Sequence, residues 1–557
     1  MPWVPAGRRS AMLRPFSTAG FHIMAATEGI SRTSDGWERA AMFDSSLRKL
    51  ALAPLVCCGL AAGATTAAAP GEPAIVDAAK KQDTRAVRAL LAQKADVNAR
   101  ATDGSTALLW LAHWNEIETA DLLLRAGADA NAANEFKMTP LVEACTNSSV
   151  PMVRLLLKNG GNANTAIATG ETPLMTCAKS GAADPVRLLV EYGAAVNAKE
   201  PVQNQTAIMW AAAEKHPDVV KSLIDAHPDL TAHTKAGFTA LHFAARVGDI
   251  ESIKNLLAAG VDINIQTQAD GAAAKRDISV SLGVSKSTGT SGYTPLLIAV
   301  MRGQTDAAMY LLDHGADPNN LGAGFTPLHW ASTEWESFVA NPVYGFEDAM
   351  SGIPNRQEKL RIVKALLAHG ANVNLRMTKP QPSFAGGYLD ATGATAFVLA
   401  SSADDLEMMK LLLDAGADPK IPTASNATAI MAATGLNHFI GERTVTEPQA
   451  LAAVKLLLDL GLDPRGETTF NENALFGPAY NGWNILLAQM IDRGVNVNVV
   501  SKAGVTPYLA ANGQGDRLGG VLYNKEGAEM LLKHGADPKL GHPCEAQNKC
   551  RAEETDK

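Results

Sequence analysis

The 557-residue chain is poor in aromatics, at 5%, and only 19% of its residues are charged. Its six cysteines include no CxxC, CxxCH or zinc-finger spacing, so haem attachment and a structural zinc site lack support. No run of lysines and arginines is visible, and the formal charge is −8. Residues 70–557 hold 42 Lys/Arg against 53 Asp/Glu. That balance offers no counterion-release term to hold a phosphate backbone, so no nucleic-acid partner is expected. The sequence has no GxSxG, HExxH, Walker A, GxGxxG or EF-hand pattern. None of those catalytic, nucleotide or metal chemistries is announced, and no cofactor is expected.

Long apolar runs are equally scarce. The stretch Leu50–Ala64 is short for a membrane span and is broken by Pro54, Gly59 and Gly63. Arg48 and Lys49 precede it and small residues follow it, which is the layout of a secretory signal peptide cleaved near Ala68 or Ala69. Cys57 and Cys58 each lack a small residue before them, so a lipoprotein site is not favoured. Forty-one residues precede Met42 without apolar periodicity. Residues 1–41 therefore read as a disordered leader or a mis-assigned start, and residues 42–69 as the signal peptide. The expectation is an exported chain, periplasmic or extracellular; anchoring in a membrane by residues 50–69 is the alternative. Cys544 and Cys550 lie in a polar tail, residues 542–557, where an oxidising compartment would let them close a small disulfide loop.

What the chain has in abundance is one pattern. Aligned on a threonine, eight-residue segments recur at Thr106, Thr139, Thr172, Thr206, Thr239, Thr294, Thr326, Thr395, Thr428 and Thr506, with Asn473 in the same phase. The recurring spacing is 33 residues, and longer gaps read as that period with an insertion. Each unit has a second half such as "ETADLLLRAGADANA" or "EMMKLLLDAGADPKI". A unit starting at Pro73 has the same second half without the threonine, which makes twelve. Within a unit the threonine caps a short helix, and proline after it suits the first turn. Small residues five and six positions on allow neighbouring helices close approach. A second helix supplies a leucine stripe and ends at a glycine, such as Gly127 or Gly260, and a polar turn leads onward. One such unit cannot bury its own apolar face, so units must stack.

The stretch "FTALHFAARVGDIESIKNLLAAGVDIN", residues 238–264, follows the TPLHxAAxxG…LLxxGAxxN pattern of the ankyrin-repeat family. The resemblance covers residues 73–541. It implies an all-α solenoid of about twelve helix-turn-helix units, with long insertions in the middle third. It also implies that His242 and His329 make structural hydrogen bonds between turns, not chemistry. The eleventh unit departs, with Asn473 for threonine and "FGPA" where the alanine pair belongs.

The resemblance further implies a non-catalytic protein–protein interaction scaffold that binds through its concave face and inserted loops. The positions before the threonine and after the alanine pair would face that surface. Phe238, Tyr293 and Phe325 stand at the first of these in three consecutive units; Arg246, Arg302 and, slightly further on, Trp335 follow the alanine pair. Aromatics and arginines at neighbouring sites are the usual material of binding hot spots. Insertions at 268–292, 332–359 and 376–393 carry Phe338, Tyr344, Phe346, Phe384 and Tyr388 as further contacts. The column four residues after the threonine, Trp110, Trp210, Phe243 and Trp330, reads as packing between helices. Cys145 and Cys177 occupy small core positions of neighbouring units and read as buried free thiols. The partner is another protein, and the chain is expected to be monomeric. The rival is an enzyme whose site the insertions build, for which His438 near Glu442 is the one faint candidate.

Overall fold

The computed structural model describes residues 72–268, 291–333, 356–379, 390–436, 445–514 and 523–542, all within the compact unit Pro70–Lys557. The leader, the signal segment, and Cys544 and Cys550 of the tail lie outside the described residues. The described residues form 24 helices and no strand, in twelve consecutive pairs. Units one to four are α1 (Ala74–Lys80) with α2 (Thr84–Ala92), α3 (Ala107–His113) with α4 (Ile117–Arg125), α5 (Pro140–Thr146) with α6 (Val150–Lys158), and α7 (Pro173–Lys179) with α8 (Ala183–Glu191). Units five to eight are α9 (Ala207–Ala213) with α10 (Pro217–Ile224), α11 (Ala240–Val247) with α12 (Ile250–Ala258), α13 (Pro295–Met301) with α14 (Thr305–Asp313), and α15 (Pro327–Ala331) with α16 (Arg356–Ala368). Units nine to twelve are α17 (Ala396–Ser402) with α18 (Leu406–Asp414), α19 (Ala429–Ala433) with α20 (Glu447–Asp459), α21 (Phe476–Asn481) with α22 (Asn484–Asp492), and α23 (Pro507–Ala511) with α24 (Lys525–Lys533).

In ten of the twelve units the first helix begins where the sequence places its threonine. Thr106, Thr139, Thr294, Thr395 and Thr506 have extended backbones, and each side chain accepts the backbone N–H three residues on. That supplies a partner to one of the donors a helix start leaves over. The second helix is capped in the same way by Asp83, Ser149, Asp249, Asp405 or Asn524. It stops at residues such as Gly127, whose φ of 93° is open to glycine and strained for other side chains.

Apart from the joint between α19 and α21, first helices pack on the first helices of neighbouring units, and each second helix packs on the first helix of its own unit. The contact column between first helices is small and fully buried: Ala112, Ala144, Ala178, Ala212, Ala245, Ala299, Ala331 and Ala400. The Leu, Val and Met residues of the second helices close the core from the other side. Two positions of the small column are cysteine. Cys145 on α5 and Cys177 on α7 are joined by a disulfide across the joint between units three and four. This corrects the expectation of free thiols. A separation of 32, one less than the period, sets the sixth residue of one segment against the fifth of the next, at a Cα–Cα distance of 4.5 Å.

The eleventh unit keeps the pairing by other means. The Asn473 side chain accepts the Leu475 N–H at 3.1 Å and donates to the Asn496 carbonyl at 2.8 Å. Gly477 lies so near the previous unit that a Cβ there would stand 2.0 Å from the Thr434 carbonyl oxygen. No helix among the described residues is long and apolar enough to cross a membrane.

Candidate interaction face

The histidines of the repeat are buried and structural. His242 Nδ1 accepts the Thr239 N–H at 3.1 Å, and Nε2 lies 3.0 Å from the Tyr293 carbonyl and 3.1 Å from that of Ile265. His329 repeats the arrangement with the Thr326 N–H at 3.1 Å and the Leu375 carbonyl at 2.9 Å. These contacts require the neutral ring with its proton on Nε2. Burial pushes both pKa values down to about 4, against the raising effect of the carbonyls. Each imidazole ties its helix to the finger that follows. Among the described residues no group of His, Cys, Asp and Glu could hold a metal ion.

The contact zone expected in the middle units is corrected in part. Tyr293 is 7% exposed and Phe325 fully buried. Their rings meet edge to face at 6.1 Å across the joint between units seven and eight, and Phe325 stacks on Trp330 at 5.9 Å. The finger base turns the residue before the threonine into the joint, so a large aromatic there packs between units. Burial drives the Tyr293 phenol up to about 12. Phe238 is half-buried against His242 and Phe243. Arg246 and Arg302 are half-buried at the ends of α11 and α13. Trp335, Phe338, Tyr344, Phe346, Phe384 and Tyr388 lie outside the described residues, as do His438 and Glu442.

A different aromatic cluster reaches the surface at the end of α3, at one end of the first-helix row of units two to five. Trp114, 37% exposed, stacks on Trp110 with ring centroids 6.3 Å apart. His113 meets both edge-on, at 4.5 Å and 5.7 Å. Its Nδ1 lies 3.0 Å from Glu143 Oε2, and the bond to that carboxylate raises the His113 pKa. Lys80 of the unit before sits 5.5 Å from the Trp110 ring, and Lys179 sits 4.7 Å from Trp210 in the same register. Two finger tips of this stretch also expose apolar side chains, Phe136 at 61% and Val202 at 58%. Trp210, Phe243 and Trp330 are buried, as their packing assignment requires, while Trp110 is half-exposed. Trp114 was the missed signal: it stands four residues after Trp110, on the same helical face.

A model of ankyrin repeats in three copies matches residues 39–134, 118–200, 196–267 and 273–339, and a single ankyrin-repeat model matches 323–378 and 392–424. The chain belongs to the ankyrin-repeat family. Ankyrin repeats generally mediate protein–protein interaction. The three pairs beyond residue 424 continue the same ankyrin stack. Protein PhlB of Serratia liquefaciens is 32% identical over 128 residues, 23% of this chain and 47% of that protein. B-cell lymphoma 3 protein homolog of Mus musculus is 31% identical over 235 residues, 41% of this chain and 40% of that protein. The chain thus spans less than half the length of each of these relatives.

The ankyrin units are also clasped by a side-chain ladder that the pattern search passed over as turn sequence. Asn98 Oδ1 accepts the Asp129 N–H of the next unit at 2.8 Å, and its Nδ2 donates to the Gly127 carbonyl at 3.0 Å. Asn131, Asn164, Asn319, Asn374 and Asn498 repeat both bonds with the unit after each. Asn197 and Asn264 make the first of the two. The position is Thr231 in unit five, Lys420 in unit nine and Arg465 in unit ten. Arg465 turns back on its own unit and holds Asp463 through two nitrogens at 2.9 Å. On the second-helix side a groove of about 530 Å³ opens between α6, α8 and α10, with Asp184, Arg187, Asp218 and Lys221 on its walls. Arg187 is bonded to Ser222 and Asp184 there, so these groups serve the packing of the helices and do not converge on one point.

Proposed function

We propose that the chain is an exported, non-catalytic ankyrin scaffold that binds another protein through the first-helix face of units two to five. The observation that carries this reading is the Trp110–His113–Trp114 cluster at the surface. Indole rings held rigid by stacking lose little entropy on binding, and tryptophan is the residue most enriched at the energetic centres of interfaces. The exposed Phe136 and Val202 tips widen the apolar area beside it. The test is affinity capture with wild type and a Trp110→Ala, Trp114→Ala pair from the same extract. A stoichiometric partner kept by wild type and lost by the pair, at unchanged helical circular dichroism, supports the reading. A partner held equally by both sinks it.

Export is supported by the buried disulfide as well as by the signal-like segment 42–69. A bond between Cys145 and Cys177 persists where the surroundings oxidise thiols and is rare in a reducing cytosol. Alkylation of the chain in intact cells, followed by mass spectrometry, tests this. A linked Cys145–Cys177 peptide together with a mature start near Ala69 is expected; both thiols alkylated and the segment retained would overturn it.

A further inference from the structure

We infer that docking on the tryptophan cluster takes up a proton at His113, so that the face holds its protein partner in mildly acidic surroundings and releases it as they turn alkaline. The inference rests on the binding face proposed above and adds its regulation. Its foundation is the place of one histidine–carboxylate pair. His113 ends α3 in unit two, edge-on to both Trp110 and Trp114, and its Nδ1 lies 3.0 Å from Glu143 Oε2 on α5 of unit three. The His113 side chain is 43% exposed and that of Glu143 only 17%. Asn147 donates to the His113 carbonyl at 2.7 Å and to that of Ala112 at 3.1 Å, which fixes the helix end that carries the ring. A partner that covers the indoles therefore covers this pair as well. A second pair, His369 with Asp313, leaves its carboxylate 64% exposed on the second-helix row, where water already solvates it.

Among the described residues His113 is the group paired with Glu143. α3 packs on α1, α4 and α5. At the end of α1, Lys80 is held by Glu72 and the Trp110 ring, and Lys81 by Asp77. On α4, Arg125 is held by Asp121, while Glu116 at its start and Glu118 in its first turn add negative charge. The charged residue of α5 is Glu143 itself. A neutral ring can donate from Nδ1 but brings no charge. A partner seated over it would strip the last water from a carboxylate with no counter-charge, which is costly, whereas the protonated pair is neutral overall. The covered face thus binds the proton more firmly than the bare one, and linkage makes affinity rise as pH falls through the His113 transition. In the bare face the bond to Glu143 already raises the His113 pKa, in the same direction.

The test uses the full chain and an array of uncharged synthetic peptides, acetylated and amidated, of equal length and graded aromatic content. Such peptides do not titrate, so a dependence on pH belongs to the chain. The peptides that count are those retained by wild type and lost by the Trp110→Ala, Trp114→Ala pair. Their retention should be about tenfold stronger at pH 5.5 than at pH 8.5, the change that one unit of difference in the His113 pKa between covered and bare face produces. Glu143→Gln removes the charge but keeps an acceptor for Nδ1–H, so its retention should be flat over that range. His113→Gln should also be flat, and weaker than Glu143→Gln at every pH, because its carboxylate stays without a counter-charge. Circular dichroism at both pH values checks that each variant folds. Retention by wild type that ignores pH or rises with it, or a slope that persists in His113→Gln, overturns the inference. If the tryptophan pair abolishes retention while pH has no effect, the face stands and the proton uptake falls. If no peptide distinguishes wild type from that pair, the face proposed above is wrong and the inference falls with it.

Discussion

Units one to six run from residue 72 to residue 268 without extra chain, whereas the later six are interrupted repeatedly between residues 268 and 523. The helices on either side of the interruptions still pair within each unit, although first helices meet more sparsely across the joints after units eight and ten. The packing period is thus held by a narrow column of small residues and a leucine stripe. Turns and fingers, which lie outside that column, accept added length at little entropic expense. The two halves differ in their fastenings as well. Four of the five joints within the first half carry the asparagine clasp; in the second half two consecutive joints, after units nine and ten, do without it.

The strongest way to break this comparison is a core truncation in the interrupted half. Trp330→Ala empties a fully buried site and should lower stability by ~3–5 kcal/mol in a urea titration. A loss below ~1 kcal/mol would mean that the later units are packed more loosely than described. The disulfide has no counterpart among the described residues of the second half. Replacing both Cys145 and Cys177 by alanine should cost ~3–4 kcal/mol for the 32-residue separation it spans. Faster hydrogen exchange should be concentrated in α5 to α8; an increase spread evenly over both halves would argue against a local staple.

Acid should act on both halves alike, since one buried histidine lies in each. The folded pKa values near 4 are below the free value of 6.5, so the unfolded chain takes up protons first. The stabilisation is complete above pH 6.5 and is lost as pH falls toward 4, by up to ~3 kcal/mol for each ring. His242→Gln should flatten part of the slope of stability against pH in that window, and an unchanged slope would show that other groups set it. The smallest effects concern the clasp. Asn131→Ala should cost ~1–2 kcal/mol for two hydrogen bonds. Lys420→Asn should raise stability by about 1 kcal/mol by supplying a clasp where there is none. No gain from that change would mean that the joint after unit nine holds its partner groups out of reach.

The number and phase of the units were legible because the threonine, the small column and the leucine pairs each repeat with a fixed offset. The fate of single side chains was less so. Tyr293 and Phe325 share the register of Ser105 and Glu171, and the sequence does not say that the finger base turns them into the joint. Trp114 was overlooked because it falls outside the repeated positions, where a search for the period does not look. The Cys145–Cys177 bond needed two residues of neighbouring units to be opposed at offsets differing by one, a relation that only the stacking geometry supplies. The asparagine clasp was visible as a recurring letter, but its partners lie 29 to 53 residues away in sequence.

The clasp has a consequence for how such a chain could grow. Its donor and acceptor reach forward to an amide and to a glycine that all units but the first and fifth present, and each unit with the asparagine presents the same grip in turn. A stretch copied within the gene would therefore arrive already fitted to its neighbours on both sides, so lengthening by duplication needs no new invention at the seam.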